Sequence, residues 1–197
     1  MSKIKNNILL TALMSGFFVT NMAVAGPYLV IDAGKTTVPG YCDGMPASFS
    51  CSSTANAARV GAGFQINSML GVEASYGDYG KIDVAGTYLS VPVSGSSALK
   101  GTQIAAVAAL PLSNVFAFTG KLGVSYLNVK TDATGIGASY SSNYDNSTMV
   151  YGVGVRLNLG DTWGIRVQYE NLGSLKSSSN DTGSTATLVS AGLIIGM

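Results

Sequence analysis

Trp163-Gly164-Ile165-Arg166-Val167-Gln168-Tyr169-Glu170 alternates without a break between apolar side chains and polar or small ones. Successive side chains of a strand point to opposite faces, so a period of two reads as a β-strand with Trp163, Ile165, Val167 and Tyr169 on one face. The pattern recurs outward from this stretch. Met149, Tyr151, Val153, Val155, Leu157 and Leu159 oppose Gly152, Gly154, Arg156 and Asn158, and Phe116, Phe118, Leu122, Val124 and Tyr126 oppose Ala117, Thr119, Lys121, Gly123 and Ser125. Earlier, Val60, Ala62, Phe64 and Ile66 oppose Arg59, Gly61, Gly63 and Gln65, while Leu70, Val72, Ala74 and Tyr76 oppose Gly71, Glu73 and Ser75. Adding strands near 27–37, 99–110 and 185–197 predicts eight in all.

The connections alternate in length. Short ones fall around 67–68, 111–114 and 160–162; long ones, rich in Ser, Gly, Asn and Asp, cover about 38–56, 80–98, 131–146 and 174–184. In the second, Val84, Tyr88, Leu89, Val91 and Val93 keep an alternating spacing, which points to strands running on past a membrane. Short turns at one end and long loops at the other describe an all-β fold: an eight-stranded antiparallel up-and-down transmembrane β-barrel.

Composition separates this reading from a soluble β protein. Only 11% of the 197 residues are charged and 47% are hydrophobic, against about 25% charged in an ordinary soluble domain. A soluble sheet would carry many Lys and Glu on its wet face, whereas here that face holds Gly, Ser, Thr, Ala and Gln with isolated charges. In lipid every backbone group must be paired internally, which a closed barrel achieves without an edge.

Function classes fall away on the same grounds. Eleven Lys/Arg against ten Asp/Glu argue against a nucleic-acid partner, and the chain has no His, the commonest general base and metal ligand. No catalytic, cofactor-binding or metal-ligating residues are expected, no cofactor, and no enzyme activity. Ala33-Gly34-Lys35-Thr36 imitates a phosphate loop, but the required first Gly would fall at Leu29, inside a strand. The loop carboxylates Asp83, Asp132, Asp145 and Asp181 are a poor basis for hydrolysis. Asn146-Ser147-Thr148 and Asn180-Asp181-Thr182 match glycosylation sequons and read better as loop chemistry.

Residues 1–25 carry a basic start with Lys3 and Lys5, an apolar stretch over 8–20 and the small-residue end Ala23-Val24-Ala25. This is the layout of a secretory signal peptide, too short in its apolar part for the roughly 20 residues of a spanning helix. The expected organisation is a signal peptide over 1–25 and a barrel domain over 26–197. Cys42 and Cys51 then reach an oxidising compartment, where a disulfide closing a small loop is the plain expectation.

Aromatic residues sort into two levels, as amphipathic rings do at the two membrane interfaces. Tyr28, Phe64, Phe116, Phe118 and Trp163 fall near the short turns, and Tyr76, Tyr79, Tyr126, Tyr151 and Tyr169 towards the long loops. If the apolar faces meet lipid, Arg59, Glu73, Lys121, Arg156, Arg166 and Glu170 point inward, with Asp32 of the first strand beside them. A barrel of eight strands is just wide enough for side chains to fill. Charges there must pair, so a plug of ion pairs is expected in preference to a gated pore.

Several segments together resemble the OmpA-type eight-stranded outer-membrane barrel. They are Gly71-Val72-Glu73-Ala74-Ser75-Tyr76 with Asp78-Tyr79-Gly80-Lys81, Ala109-Leu110-Pro111-Leu112-Ser113 leading to Gly120-Lys121-Leu122-Gly123-Val124, Tyr151-Gly152-Val153-Gly154, and Gly164-Ile165-Arg166-Val167 with Tyr169-Glu170. The resemblance implies that Glu73, Lys121, Arg166 and Glu170 pair inside the barrel. It also implies outer-membrane lipid as surroundings in a Gram-negative cell, export through the Sec pathway, and periplasmic chaperones and the barrel assembly machinery as partners in biogenesis. Two departures stand out: Met197 replaces the usual terminal aromatic, and no peptidoglycan-binding domain is expected after the last strand. The sequence thus points to a structural or surface-interaction scaffold whose loops, notably the disulfide loop and the segment with Tyr140, Asn143 and Tyr144, meet a host or surface ligand. The alternative is a small porin-like channel or transporter for small or apolar solutes.

Overall fold

A computed structural model describes residues 26–88, 90–135, 137–160, 162–175 and 184–196. The expected signal peptide over 1–25, the second sequon, Asp181, most of the last long connection and Met197 lie outside the described residues. Among the described residues nine strands follow one another: β1 (Gly26–Thr37), β2 (Phe49–Cys51), β3 (Thr54–Gln65), β4 (Leu70–Tyr88), β5 (Val91–Pro111), β6 (Phe116–Gly135), β7 (Ala138–Asn158), β8 (Trp163–Leu175) and β9 (Ser184–Ile195).

Eight of them form a ring in which every neighbour is antiparallel, in the order β1, β3, β4, β5, β6, β7, β8, β9 and back to β1. The eight-stranded up-and-down barrel read from the alternation is therefore correct. The ninth, β2, is a short addition inside the first long connection, laid against Val84, Ala85 and Gly86 of β4.

Turn chemistry explains the short end of the barrel. Asn67 Oδ1 accepts the amides of Met69 and Leu70 at 2.9 and 2.8 Å, and Ser113 Oγ accepts those of Val115 and Phe116 at 3.2 and 3.0 Å. Side-chain acceptors that mimic a backbone turn suit such tight reversals.

The other end differs from the sequence expectation. The segments 80–98 and 131–146 are not loops but continuations of β4 to β7, whose 19 to 21 residues are about twice the 9 to 11 a membrane strand needs. Tyr88 pairs with Val91 and Gly135 with Ala138 right at the tips. At about 3.4 Å per residue and a tilt near 45°, the excess raises both hairpins on the order of 25 Å above the bilayer. Ser and Thr alternate there with Tyr, Val and Asp, and Ser94–Thr134 and Ser97–Thr131 hydroxyl pairs at 2.8 and 3.2 Å bind the strands together. Polarity had suggested a loop; cross-strand hydroxyl pairing in a tall sheet uses the same residues.

Outside, the wall is apolar. Leu29, Ile31, Val60, Val72, Ile104, Leu122, Val153, Val167 and Leu193 are all exposed on the outer surface, as a lipid-facing band requires. Phe64, Phe118 and Trp163 are exposed near the short turns, and Tyr76, Tyr126, Tyr151 and Tyr169 higher up. Phe116 packs edge-on against Phe118 at 5.3 Å between ring centroids. Two of the expected interface aromatics turn the other way. Tyr28 and Tyr79 are 7% and 1% exposed and face the lumen. For Tyr28 the period of two decides this: it lies four positions before Asp32 on the same strand, so an inward Asp32 carries Tyr28 inward too.

Candidate functional site

The lumen is filled in three layers. Its middle layer collects long polar side chains from six strands: Asp32 of β1, Arg59 of β3, Glu73 of β4, Gln103 of β5, Lys121 of β6, and Arg166, Gln168 and Glu170 of β8, every one of them buried. Arg59 donates from Nε to Asp32 Oδ2 at 2.9 Å and forks onto Glu170 at 2.9 and 2.6 Å. Its guanidinium also reaches Gln103 Oε1 at 3.1 Å and Gln168 Oε1 at 3.3 Å. Arg166 donates to Asp32 at 2.8 and 2.6 Å and to Glu73 at 2.6 and 3.3 Å. Lys121 Nζ donates to Glu73 and Gln103 at 3.2 Å each and lies 3.4 Å from Glu170 Oε2.

Asp32, Glu73 and Glu170 thus face Arg59, Lys121 and Arg166, and the formal charges of the cluster cancel. Each carboxylate touches at least two cations. That is what a buried ionic cluster needs, because desolvation is offset only by close, multiply hydrogen-bonded partners. The two ring strands that send no long side chain into this layer contribute room. A Cβ at Gly152 of β7 would lie 2.7 Å from Glu170 Cγ, and one at Gly192 of β9 would collide with Asp32 Oδ1.

Of the charges expected inside, Arg59, Glu73, Lys121, Arg166 and Glu170 meet in this layer, and Asp32 belongs with them. Arg156 does not. It faces the lumen, but among the described residues no carboxylate lies within ion-pair distance and its Nε has no hydrogen-bond partner. Its cross-strand neighbour is Arg166, which takes Asp32 and Glu73. Arg156 instead borders a small cavity of about 20 Å³ with Tyr28, Thr119 and Ile194, below the charged layer.

Above it lies an apolar layer of Tyr79, Leu99, Leu127, Val129, Val150, Leu172 and Leu188, with Val38 and Ile82. Two β-bulges lie within it. At Asp78-Tyr79-Gly80 the Asp78 Oδ1 accepts the Gly80 amide at 3.0 Å, and at Asn171-Leu172-Gly173 the Asn171 Oδ1 accepts the Gly173 amide at 2.8 Å. Both glycines hold positive φ, 91° and 84°, and the ladders shift register there. Tyr79 and Leu172 keep the inward parity of Glu73 and Glu170, and past each bulge the parity changes, which turns Ile82 and Leu175 towards the lumen as well. Sequence reading missed this layer; the signal available was an Asp or Asn two places before a Gly inside a strand.

The Cys42–Cys51 disulfide is present. It folds the first connection over the barrel mouth, where Val38 and Tyr41 pack onto the apolar layer.

No curated protein matches the chain. Among solved structures, the outer membrane protein OprG from Pseudomonas aeruginosa superposes with a TM-score of 0.58 at 12% identity, covering 88% of this chain and 97% of that one. Ail, the attachment invasion locus protein of Yersinia pestis, gives 0.53 at 15%, covering 87% and 99%. Neisserial surface protein A gives 0.51 at 15%, covering 87% and 97%. These likenesses concern the fold: closed barrels of one size. The family assignment comes from the sequence itself, which matches the OmpA-like transmembrane domain over residues 23–195; the chain belongs to that family of outer-membrane β-barrels.

Proposed function

We propose that this barrel is a non-catalytic, closed outer-membrane scaffold that holds two tall hairpins and a disulfide-bound loop at the cell surface. One observation carries the reading: the lumen's midsection is occupied by a charge-balanced cluster in which Asp32, Glu73 and Glu170 are each held by two cations. Opening a water path would strip partners from buried ions, at about 3 to 5 kcal/mol for each broken pair. The elongated β4 to β7 then serve display, since binding residues concentrate on segments raised by a rigid support. Export through the Sec pathway, chaperone-assisted assembly, the lumen network as a structural plug and a host or surface ligand for the raised hairpins belong to the same proposal.

The test is single-channel conductance of the protein in planar bilayers beside Lys121→Ala and Glu73→Ala. The expected result is no steady conductance in the parent chain. A parent that conducts steadily, with a level altered by either substitution, would replace the scaffold by a channel. For display, deletion of residues 41–52 is expected to lower binding to host-cell surfaces while leaving heat-modifiable migration unchanged.

A further inference from the structure

Directly above the apolar layer, under the disulfide loop, is a cavity of about 130 Å³. Val38, Tyr41, Ile82, Leu99, Val129 and Leu175 form most of its wall, and the Tyr79 ring belongs to the same wall. It lies on the opposite side of the charged cluster from the Arg156 cavity, so it is a chamber closed from below. Its size is close to that of apolar cavities of about 150 Å³, which stay dry and take up one benzene-sized molecule.

A second observation narrows the occupant. Thr36 lines the same cavity, is 3% exposed, and among the described residues its Oγ1 has no hydrogen-bond partner. A buried hydroxyl without a partner costs free energy comparable to a lost hydrogen bond. It supplies one free donor and acceptor in a mainly apolar wall, whose other hydroxyls include Ser97, already paired with Thr131, and the exposed Ser184. Sites that combine an apolar body with one placed polar group select small molecules built the same way.

We infer that this chamber is a binding site for a single-ring aromatic molecule carrying one hydroxyl, with its ring among Val38, Ile82, Leu99 and Val129 and its hydroxyl on Thr36. The site goes beyond the scaffold reading and does not depend on it, because binding from the outer side proceeds whether or not the lumen conducts. Tyr41 of the wall precedes Cys42, so the disulfide-bridged loop adjoins the chamber.

The experiment uses the barrel in lipid nanodiscs, with methyl resonances of Ile82, Leu99 and Val129 followed by NMR during titration with 4-fluorophenol and, separately, fluorobenzene. Ile104, Leu122 and Val153 on the lipid face report simple partition into the bilayer. The expected result is saturable shifts confined to the cavity methyls. Thr36→Val is expected to weaken 4-fluorophenol about fivefold to tenfold, the loss of one hydrogen bond, and to leave fluorobenzene unchanged. Leu99→Phe, and independently Val129→Phe, should abolish both shifts while heat-modifiable migration is retained. Shifts that do not saturate, or that appear equally on Ile104, Leu122 and Val153, overturn the site. An unchanged preference in Thr36→Val overturns the role given to its hydroxyl.

Discussion

Arg166 and Asp32 are held at 2.8 and 2.6 Å although their strands, β8 and β1, are not neighbours. Strand β9 runs between them, and the residue in register with both is Gly192. A second pair repeats the arrangement: Lys121 of β6 and Glu170 of β8 lie 3.4 Å apart across Gly152 of β7, in register with both. In both pairs the intervening strand presents a glycine at that register, which leaves room for the cation and the carboxylate to approach over it.

Gly192→Ala places a methyl group against Asp32 Oδ1 and Ile31 O, and either the backbone or the ion pair must move. The expected cost is about 3 kcal/mol, read as a shift of the urea midpoint for unfolding from lipid vesicles. A midpoint equal to that of the parent would show that the Arg166 to Asp32 contact contributes nothing.

Arg166 and Arg156 face each other across β7 and β8, yet among the described residues only Arg166 of the two has carboxylate partners. Arg166→Gln leaves Asp32 and Glu73 short of a cation and is expected to cost about 3 kcal/mol. Arg156→Gln removes no ion pair and is expected to cost under about 1 kcal/mol. Paired unfolding curves in the same vesicles check the contrast, and equal losses would place Arg156 in the cluster.

Trp163 is the one tryptophan of the chain and lies outward near the short-turn end, 49% exposed. Its fluorescence is expected to be quenched most by lipids brominated near the headgroup and least by those brominated at the chain end, as an interfacial indole requires. Strongest quenching from the bilayer centre would move the whole membrane band along the strands.

High on the β6 to β7 hairpin, Asp132 accepts the Ser141 hydroxyl at 2.7 Å and lies 3.4 Å from Lys130 Nζ. The Ser141 hydrogen bond first, and the Lys130 charge with it, hold this carboxyl below the ordinary carboxylate range. A depressed acid contributes fully above its unfolded value near 3.9 and loses that contribution as pH falls through its own lower value. The protection of Ser141 and its neighbours from hydrogen exchange, relative to the unstructured rate at each pH, is therefore expected to hold to about pH 4 and to fall only below it. A fall already near pH 5 would mean the contact is not formed in solution.

Reduction of Cys42–Cys51 frees the first connection but touches none of the strand ladders of the ring. Proteolysis within residues 41–50 is expected to accelerate several-fold while the heat-modifiable band persists. Loss of that band on reduction would make the disulfide a condition of barrel closure.

The alternation of side chains determined, by itself, the strand number of the ring, the lipid-facing set and the inward charges, because a period of two assigns every residue to a face. It also carried enough to place Tyr28 inside, since Tyr28 and Asp32 share a parity. Three things were decided only by the tertiary structure. Which inward charges meet depends on register around a closed ring, so Asp32 joins Arg59 and Arg166 while Arg156, also inward, stays outside. Whether Ser-rich stretches are loops or raised strands depends on a partner strand, found for 80–98 and 131–146 in their own hairpins. The chamber above the plug exists because bulges at Gly80 and Gly173 shift the parity of single strands, and a local shift gains its meaning from the wall it faces.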